Sequence, residues 1–298
     1  MGASPVFKAM LKHGFLEGLT LRAKGKVEIP LPDDDPLCFA ILMDIVHGNQ
    51  EKVPRELSLR FMTVMAILVD KYRLQVCVSE YSDMWMDAIN ATIPKTFTKD
   101  LAHWLCVSWV FRRPIEFAHV TRIAERESNG QDLDTFSEEL KEELPIPDRI
   151  IGMDASSNHF PPWFINSSAD TILERRERAI RHSFDILDRY NDMLQSAALR
   201  CTSKRPESHR YTCNNVLMSS LLESSTTLGL WPPPDSPYYE LTFKSVAHSI
   251  NQIQIVSFCS HMGYTNQSST SHGVKAEIGS ALEKVKTRLS GLNLREFD

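Results

Sequence analysis

Glycine is scarce, with 12 in 298 residues, and none of it forms a phosphate-binding loop. The Gly-x-Ser-x-Gly turn that presents a nucleophilic serine is absent. So is the His-Glu-x-x-His helix of zinc peptidases. With no constellation for these chemistries, a non-enzymatic role without a resident cofactor is expected. No apolar run reaches the length of a membrane span, so no membrane is expected as a partner. The first residues lack the basic-then-apolar pattern of a signal peptide. Reduced thiols and an intracellular place, cytoplasm or nucleus, are therefore expected. Positive charge is not in excess: 33 Lys and Arg against 38 Asp and Glu leave a net charge of −5. That balance argues against broad attraction to nucleic acid or anionic lipid.

What is present is helical patterning in a composition ordinary for a globular chain, 42% hydrophobic and 24% charged. Ser4 followed by Pro5 reads as a helix cap and first position, with Val6, Phe7, Met10 and Leu11 as an apolar face. Leu19 to Leu21 and Val27 to Leu31 flank Gly25 with alternating apolar residues, which predicts a short hairpin. Pro30 would confine the second strand to an edge or terminus. Asp35 and Pro36 predict the start of a helix that Gly48 ends. The spacing of Asp33, Asp34 and Asp35 does not suit a calcium loop, so capping is the better reading. From Ser58 to Tyr72 apolar residues occupy nearly every face, predicting a helix buried all round at the centre of a first domain.

Further helices are expected over Leu101 to Phe111 and from Pro114 through Ile123. Thr135 and Glu138 carry a capping-box pattern within an acidic, polar stretch. The longest helical pattern runs from Ser168 to Leu199. Its apolar stripe faces away from Glu174, Arg175, Arg176, Glu177, Arg178 and Arg181, whose mixed signs favour pairing along the helix over nucleic-acid binding. Three later helices are expected over Val216 to Leu230, Phe243 to Phe258 and Val274 to Leu289, then an extended docked tail with Leu292, Leu294 and Phe297.

Several stretches together resemble the BTB/POZ domain in its filamentous-fungal form. They are Ser4-Pro5-Val6-Phe7-Lys8-Ala9-Met10-Leu11, Phe15-Leu16-Glu17-Gly18, Glu28-Ile29-Pro30-Leu31-Pro32-Asp33-Asp34-Asp35-Pro36, Ile45-Val46-His47-Gly48 and Asp70-Lys71-Tyr72. The closing Gly291-Leu292-Asn293-Leu294-Arg295-Glu296-Phe297 resembles the end of the helical extension in such proteins. The resemblance implies a mainly α fold of the α+β class. Residues 1–93 would form a partial BTB/POZ-like helical cluster with a residual small sheet or hairpin. Residues 94–298 would form an all-helical region with polar loops near 126–166, 201–212, 231–241 and 261–273. It also implies a protein-interaction module, with some family members acting as adaptors on a cullin scaffold of a ubiquitin ligase. The family's contact pattern falls on Phe15, Leu16 and Glu17. Physically, an exposed aromatic anchor beside a carboxylate suits such a contact, and the plainer reading packs Phe15 under the next strand. The two strands and first helix that precede this portion in the family are absent at the start of the chain. Homodimerisation, which leans on them, is therefore not expected.

Two groups of sulfur and imidazole remain. His103 and Cys106 share an apolar helix, where a structural role is expected. Cys201, Cys213, Cys259 and His261, with His272 nearby, lie in or beside polar loops that one zinc ion could clip together. No Cys-x-x-Cys pair is among them, which favours spectator cysteines. The alternative to the interaction reading is a zinc-stabilised regulatory or nucleic-acid-associated protein centred on those four residues.

Overall fold

Residues 3–12, 14–131, 170–196, 199–262 and 271–297 are described by a computed structural model. Ser4 caps α1 (Pro5–Met10), accepting a hydrogen bond from the Phe7 amide at 3.2 Å, with Pro5 in the first turn. The next helix, α2 (Leu16–Lys24), replaces the expected first strand, since it contains Leu19 to Leu21. Gly25 at φ +70° is its left-handed stop, donating to the Leu21 carbonyl at 2.8 Å, and not a hairpin turn. Val27, Ile29 and Leu31 are half-buried and alternate with exposed residues. The period-2 pattern is therefore real, but no strand exists among the described residues and the expected small sheet is not formed.

Asp35 caps α3 (Pro36–His47), its carboxylate accepting from the Cys38 amide at 2.8 Å, and Gly48 closes the helix in the left-handed conformation. Ser58 caps α4 (Leu59–Tyr72), which packs against α1, α3, α5 (Gln75–Ile89) and α6 (Asp100–Val110). Met62, Met65, Leu68, Val69 and Tyr72 are buried, while Phe61, Val64 and Ile67 are only half-buried. The helix is central but keeps one partly open flank, unlike the all-round burial its composition predicts. Cys38 and Cys106 are buried in helices, and Thr63 Oγ1 meets the buried His103 Nδ1 at 3.1 Å, as a structural role requires.

The chain divides into two compact units. Among the described residues the first comprises 3–12, 14–123, 170 and 291–297, and the second 124–131, 171–196, 199–262 and 271–290. The first unit thus runs beyond residue 93, since α6 packs on α4 and α7 (Pro114–Glu127) begins within it. The end of the chain completes this unit. Gly291 adopts φ +90°, and a Cβ there would lie 1.9 Å from the Ala118 carbonyl oxygen. The Leu292 amide donates to Thr121 Oγ1 at 2.8 Å, and Phe297 packs on Trp109 and Phe117. Its last residues form a 3₁₀ turn, Leu294–Phe297, in place of the extended tail.

The second unit is built from α8 (Asp170–Gln195), α9 (Glu207–Thr227), α10 (Phe243–Gln252), α11 (Phe258–His261) and α12 (Val274–Arg288). Ile180, Phe184, Leu187, Leu217, Leu221, Val246, Ile250, Ile278 and Leu282 form its core. On α8 the pairs Glu174–Arg178 and Glu177–Arg181 form as expected, one turn apart. Arg176, placed on that solvated face by its neighbours in sequence, is instead only 1% exposed. Its guanidinium donates to the carbonyls of Ser128, Tyr238 and Leu241, which ties these backbone segments together. The capping-box pattern at Thr135 and Glu138 lies outside the described residues, as does most of the polar stretch near 126–166.

Candidate metal centre

α9 begins at Glu207, nine residues before the apolar pattern predicts, because its first turns carry too few apolar residues to show a period. Much of the expected loop over 201–212 is therefore helix, and Cys213 sits in its second turn, fully buried. Just before the helix, the Arg210 Nε donates to the Cys201 carbonyl at 3.0 Å. The Arg200 amide donates to Asn214 Oδ1 at 3.3 Å. These two bonds fold residues 200–201 back over the start of α9 and bring Cys201 beside Cys213.

The expected helix over Phe243 to Phe258 stops at Gln252. Residues 253–257 run extended, with Ile253, Ile255 and Ser257 buried and Gln254 and Val256 exposed. Their backbone is satisfied by a helix and not by a second strand. The Gln254 amide donates to Ser224 Oγ at 2.9 Å and the Val256 amide to Ser220 Oγ at 3.1 Å. Ser220 and Ser224 are one turn apart on α9, so the segment runs antiparallel to that helix. Ser257 then opens α11 with a reciprocal cap, its hydroxyl accepting from the Ser260 amide at 3.2 Å. Continuing in the same direction, Cys259 arrives over Cys213.

The fourth approach comes from the turn before α12. His272 holds a left-handed backbone at φ +47°, uncommon for a residue with a side chain, and Gly273 follows at φ +84°. Glu277, one turn into α12, accepts from Tyr190 at 3.2 Å and pairs with Arg200. That pair ties this turn to the segment carrying Cys201.

The result is a cluster of three thiols and one imidazole. Cys201 Sγ lies 3.6 Å from Cys259 Sγ, and Cys213 Sγ lies 3.7 Å from Cys259 Sγ. His272 Nε2 lies 3.2 Å from Cys213 Sγ. The four ligand atoms all fall within 4.8 Å of one another. A second imidazole, His209 Nε2, stands 3.3 Å from Cys259 Sγ, with its ring against Phe258. Cys201, Cys213 and Cys259 are all free thiols. An open cleft lined by Ser203, Lys204, Arg205 and His209 reaches Cys259 and His272.

Burial works against ionisation of the Cys201 thiol, but its hydrogen bonding with Ser203, Cys259 and Cys213 outweighs it and holds that thiol below its ordinary value. Burial, together with the neighbouring Cys201 and Cys213, pushes Cys259 up to about 12. Burial also lowers His272 from its ordinary value, favouring the neutral ring that a metal ligand requires.

Of the residues predicted from sequence, the structure brings together Cys201, Cys213, Cys259 and His272. The side chain of His261 lies outside those described. His209 was missed, because nothing in the sequence links residue 209 to residue 259. In the first unit, Phe15 stands at the start of α2 with 57% of its surface exposed, Leu16 with 76% and Leu19 with 53%. Glu17 between them is half-buried. Phe15 does not pack under a strand.

Compared with known protein families, with curated proteins and with solved structures, the chain matches none.

Proposed function

We propose that this chain is a non-enzymatic protein-interaction protein of BTB/POZ type, with α2 as its recognition surface and a cullin-type ubiquitin-ligase scaffold as its partner. The observation that carries this reading is the exposure of Phe15, Leu16 and Leu19 beside Glu17 on one short helix. An aromatic anchor and two aliphatic neighbours supply the apolar centre of a small interface, and the carboxylate sets its orientation. A further support is that stretches underlying the BTB/POZ resemblance meet in space. Ser4 Oγ donates to the Tyr72 carbonyl at 2.7 Å, Phe7 stacks on Tyr72 at 4.7 Å, and Asp34 holds both Lys71 and the Tyr72 hydroxyl.

Capture of the full chain on an immobilised fungal cullin tests the adaptor role. Wild type is retained, while Phe15→Ala and Glu17→Ala each weaken retention about tenfold or more, as loss of an interface anchor does. A wild-type protein that is folded but not retained removes the cullin from the proposal. The alternative reading, a zinc-stabilised regulatory or nucleic-acid-associated protein, gains its support from the thiol cluster and applies to the second unit. Its nucleic-acid half gains none, because the net charge is −5 and, at the mixed-charge face, Arg175, Arg178 and Arg181 are paired and Arg176 is buried.

A further inference from the structure

We infer that Cys201, Cys213, Cys259 and His272 bind one zinc ion as a closed structural site, with His209 as an outer donor to the Cys259 sulfur. This inference stands apart from the interaction reading. It rests first on shape. A tetrahedral ion with zinc–sulfur bonds of about 2.3 Å and zinc–nitrogen bonds of about 2.0 Å places its ligand atoms roughly 3.5–3.8 Å apart. The separations of 3.6, 3.7 and 3.2 Å already lie close to those edges. A small settling of each side chain completes the tetrahedron.

It rests next on chemistry. Three thiols and one imidazole are a soft, tetrahedral donor set that suits zinc over magnesium or calcium. A disulfide would need two sulfurs about 2.05 Å apart and would strand the third. Cysteines that serve only as small hydrophobes sit among apolar groups, as Cys106 does on α6. Here the sulfurs face one another and the polar atoms of Ser203, His209 and His272. A strained left-handed backbone at His272 that turns its ring toward the sulfurs is the kind of local cost a ligand offsets.

Four protein ligands fill a tetrahedron and leave no position for water or substrate, so the site is structural and not catalytic. His209 is not a fifth ligand. Its Nε2 stands 3.3 Å from the Cys259 sulfur and would donate to that sulfur as a zinc-bound thiolate, the outer contact that orients a ligand and offsets its charge. The ion would join two segments far apart in the chain, residues 201–213 and 259–272, each end already fixed to α9 or α12.

Zinc content of the purified full chain, refilled with zinc and desalted, tests the inference, together with the absorption spectrum of the cobalt(II)-substituted protein. One zinc per chain is expected, with thiolate-to-cobalt charge-transfer bands and the intense visible bands of a tetrahedral ion. Cys213→Ser and His272→Ala lose stoichiometric zinc, whereas His261→Ala retains it. His209→Gln retains one zinc per chain but binds it about 10–100-fold more weakly in chelator competition. Less than one zinc for every two wild-type chains, or cobalt without the charge-transfer bands, overturns the site. Zinc retained by His272→Ala and lost from His261→Ala overturns the choice of fourth ligand. Should the substituted chains fail to fold, the wild-type stoichiometry and cobalt spectrum still decide the site, and the spectrum of His272→Cys, with a fourth thiolate band, decides the ligand.

Discussion

A polar knot stands in each unit, and the two differ in the chemistry of their members. In the first unit, Asp34 is buried, with its side chain 2% exposed. Its two oxygens are taken by Lys71 and the Tyr72 hydroxyl, while the Tyr72 carbonyl accepts from Ser4. Every charge there meets an opposite charge or a donor within the protein. In the second unit three sulfurs and an imidazole meet one another at 3.2–3.7 Å. The first knot is complete as protein alone. The second has the geometry of a ligand set. The comparison teaches that a buried polar cluster is best read by asking whether its members satisfy each other.

The comparison breaks most sharply under chelation. Structural zinc in small domains contributes on the order of 10 kcal/mol of binding free energy, so its loss should outweigh any single hydrogen bond. Cys259→Ser, or a strong chelator added to wild type, is expected to lower the melting temperature of the second unit by roughly 10 °C or more in calorimetry. The near-ultraviolet signal from the Phe7–Tyr72 stack should hold through the same treatment. A chelator that moves neither unit would place the two knots in one class.

A smaller effect sharpens the other side. Tyr72→Phe removes the hydroxyl that Asp34 accepts from and is expected to cost about 1–3 kcal/mol in denaturant unfolding, with no dependence on chelator. Burial first, and then the hydrogen bond and charge of Asp34, raise the ionisation of Tyr72 above its ordinary value of 10.0. A raised folded value means this contribution is whole below about pH 10 and is lost as pH climbs above it. Wild-type stability should therefore fall more steeply above pH 10 than that of Tyr72→Phe. Parallel curves would show that the hydroxyl is not held as described.

The smallest effect concerns the lacing that delivers Cys259. Ser220→Ala or Ser224→Ala leaves one backbone amide of the extended segment without its partner, costing about 1 kcal/mol. Zinc should still bind with one ion per chain. Unchanged stability in both variants would mean that water replaces the serines and that the segment is held by Ile253 and Ile255 alone.

Local signals in the chain announced local structure well. Ser4, Asp35 and Ser58 cap the helices that their positions predict, since a cap is decided by three or four neighbouring residues. Gly25 shows the limit: the same residue serves a hairpin turn or a helix stop, and here it is a helix stop. Arg176 was misread for a related reason. Its sequence neighbours are solvated, but the carbonyls it donates to come from residues 128, 238 and 241, which no periodicity connects to it. The metal centre was half legible. The sequence singled out Cys201, Cys213, Cys259 and His272, while their assembly depended on the serine lacing along α9, which has no signature of its own. Phe15 and Leu16 are exposed and Glu17 half-buried, and the partner is a matter for binding experiments.

Gly291 carries a consequence for how the chain is made. The residues that dock against Ala118, Thr121, Trp109 and Phe117 follow the second unit in the chain, so the first unit stays unfinished until the second has been synthesised. In the order of synthesis the second unit is an insert within the first. A fragment ending near residue 123 would leave that aromatic seat open, a sticky surface that the intact protein shows only during its own birth.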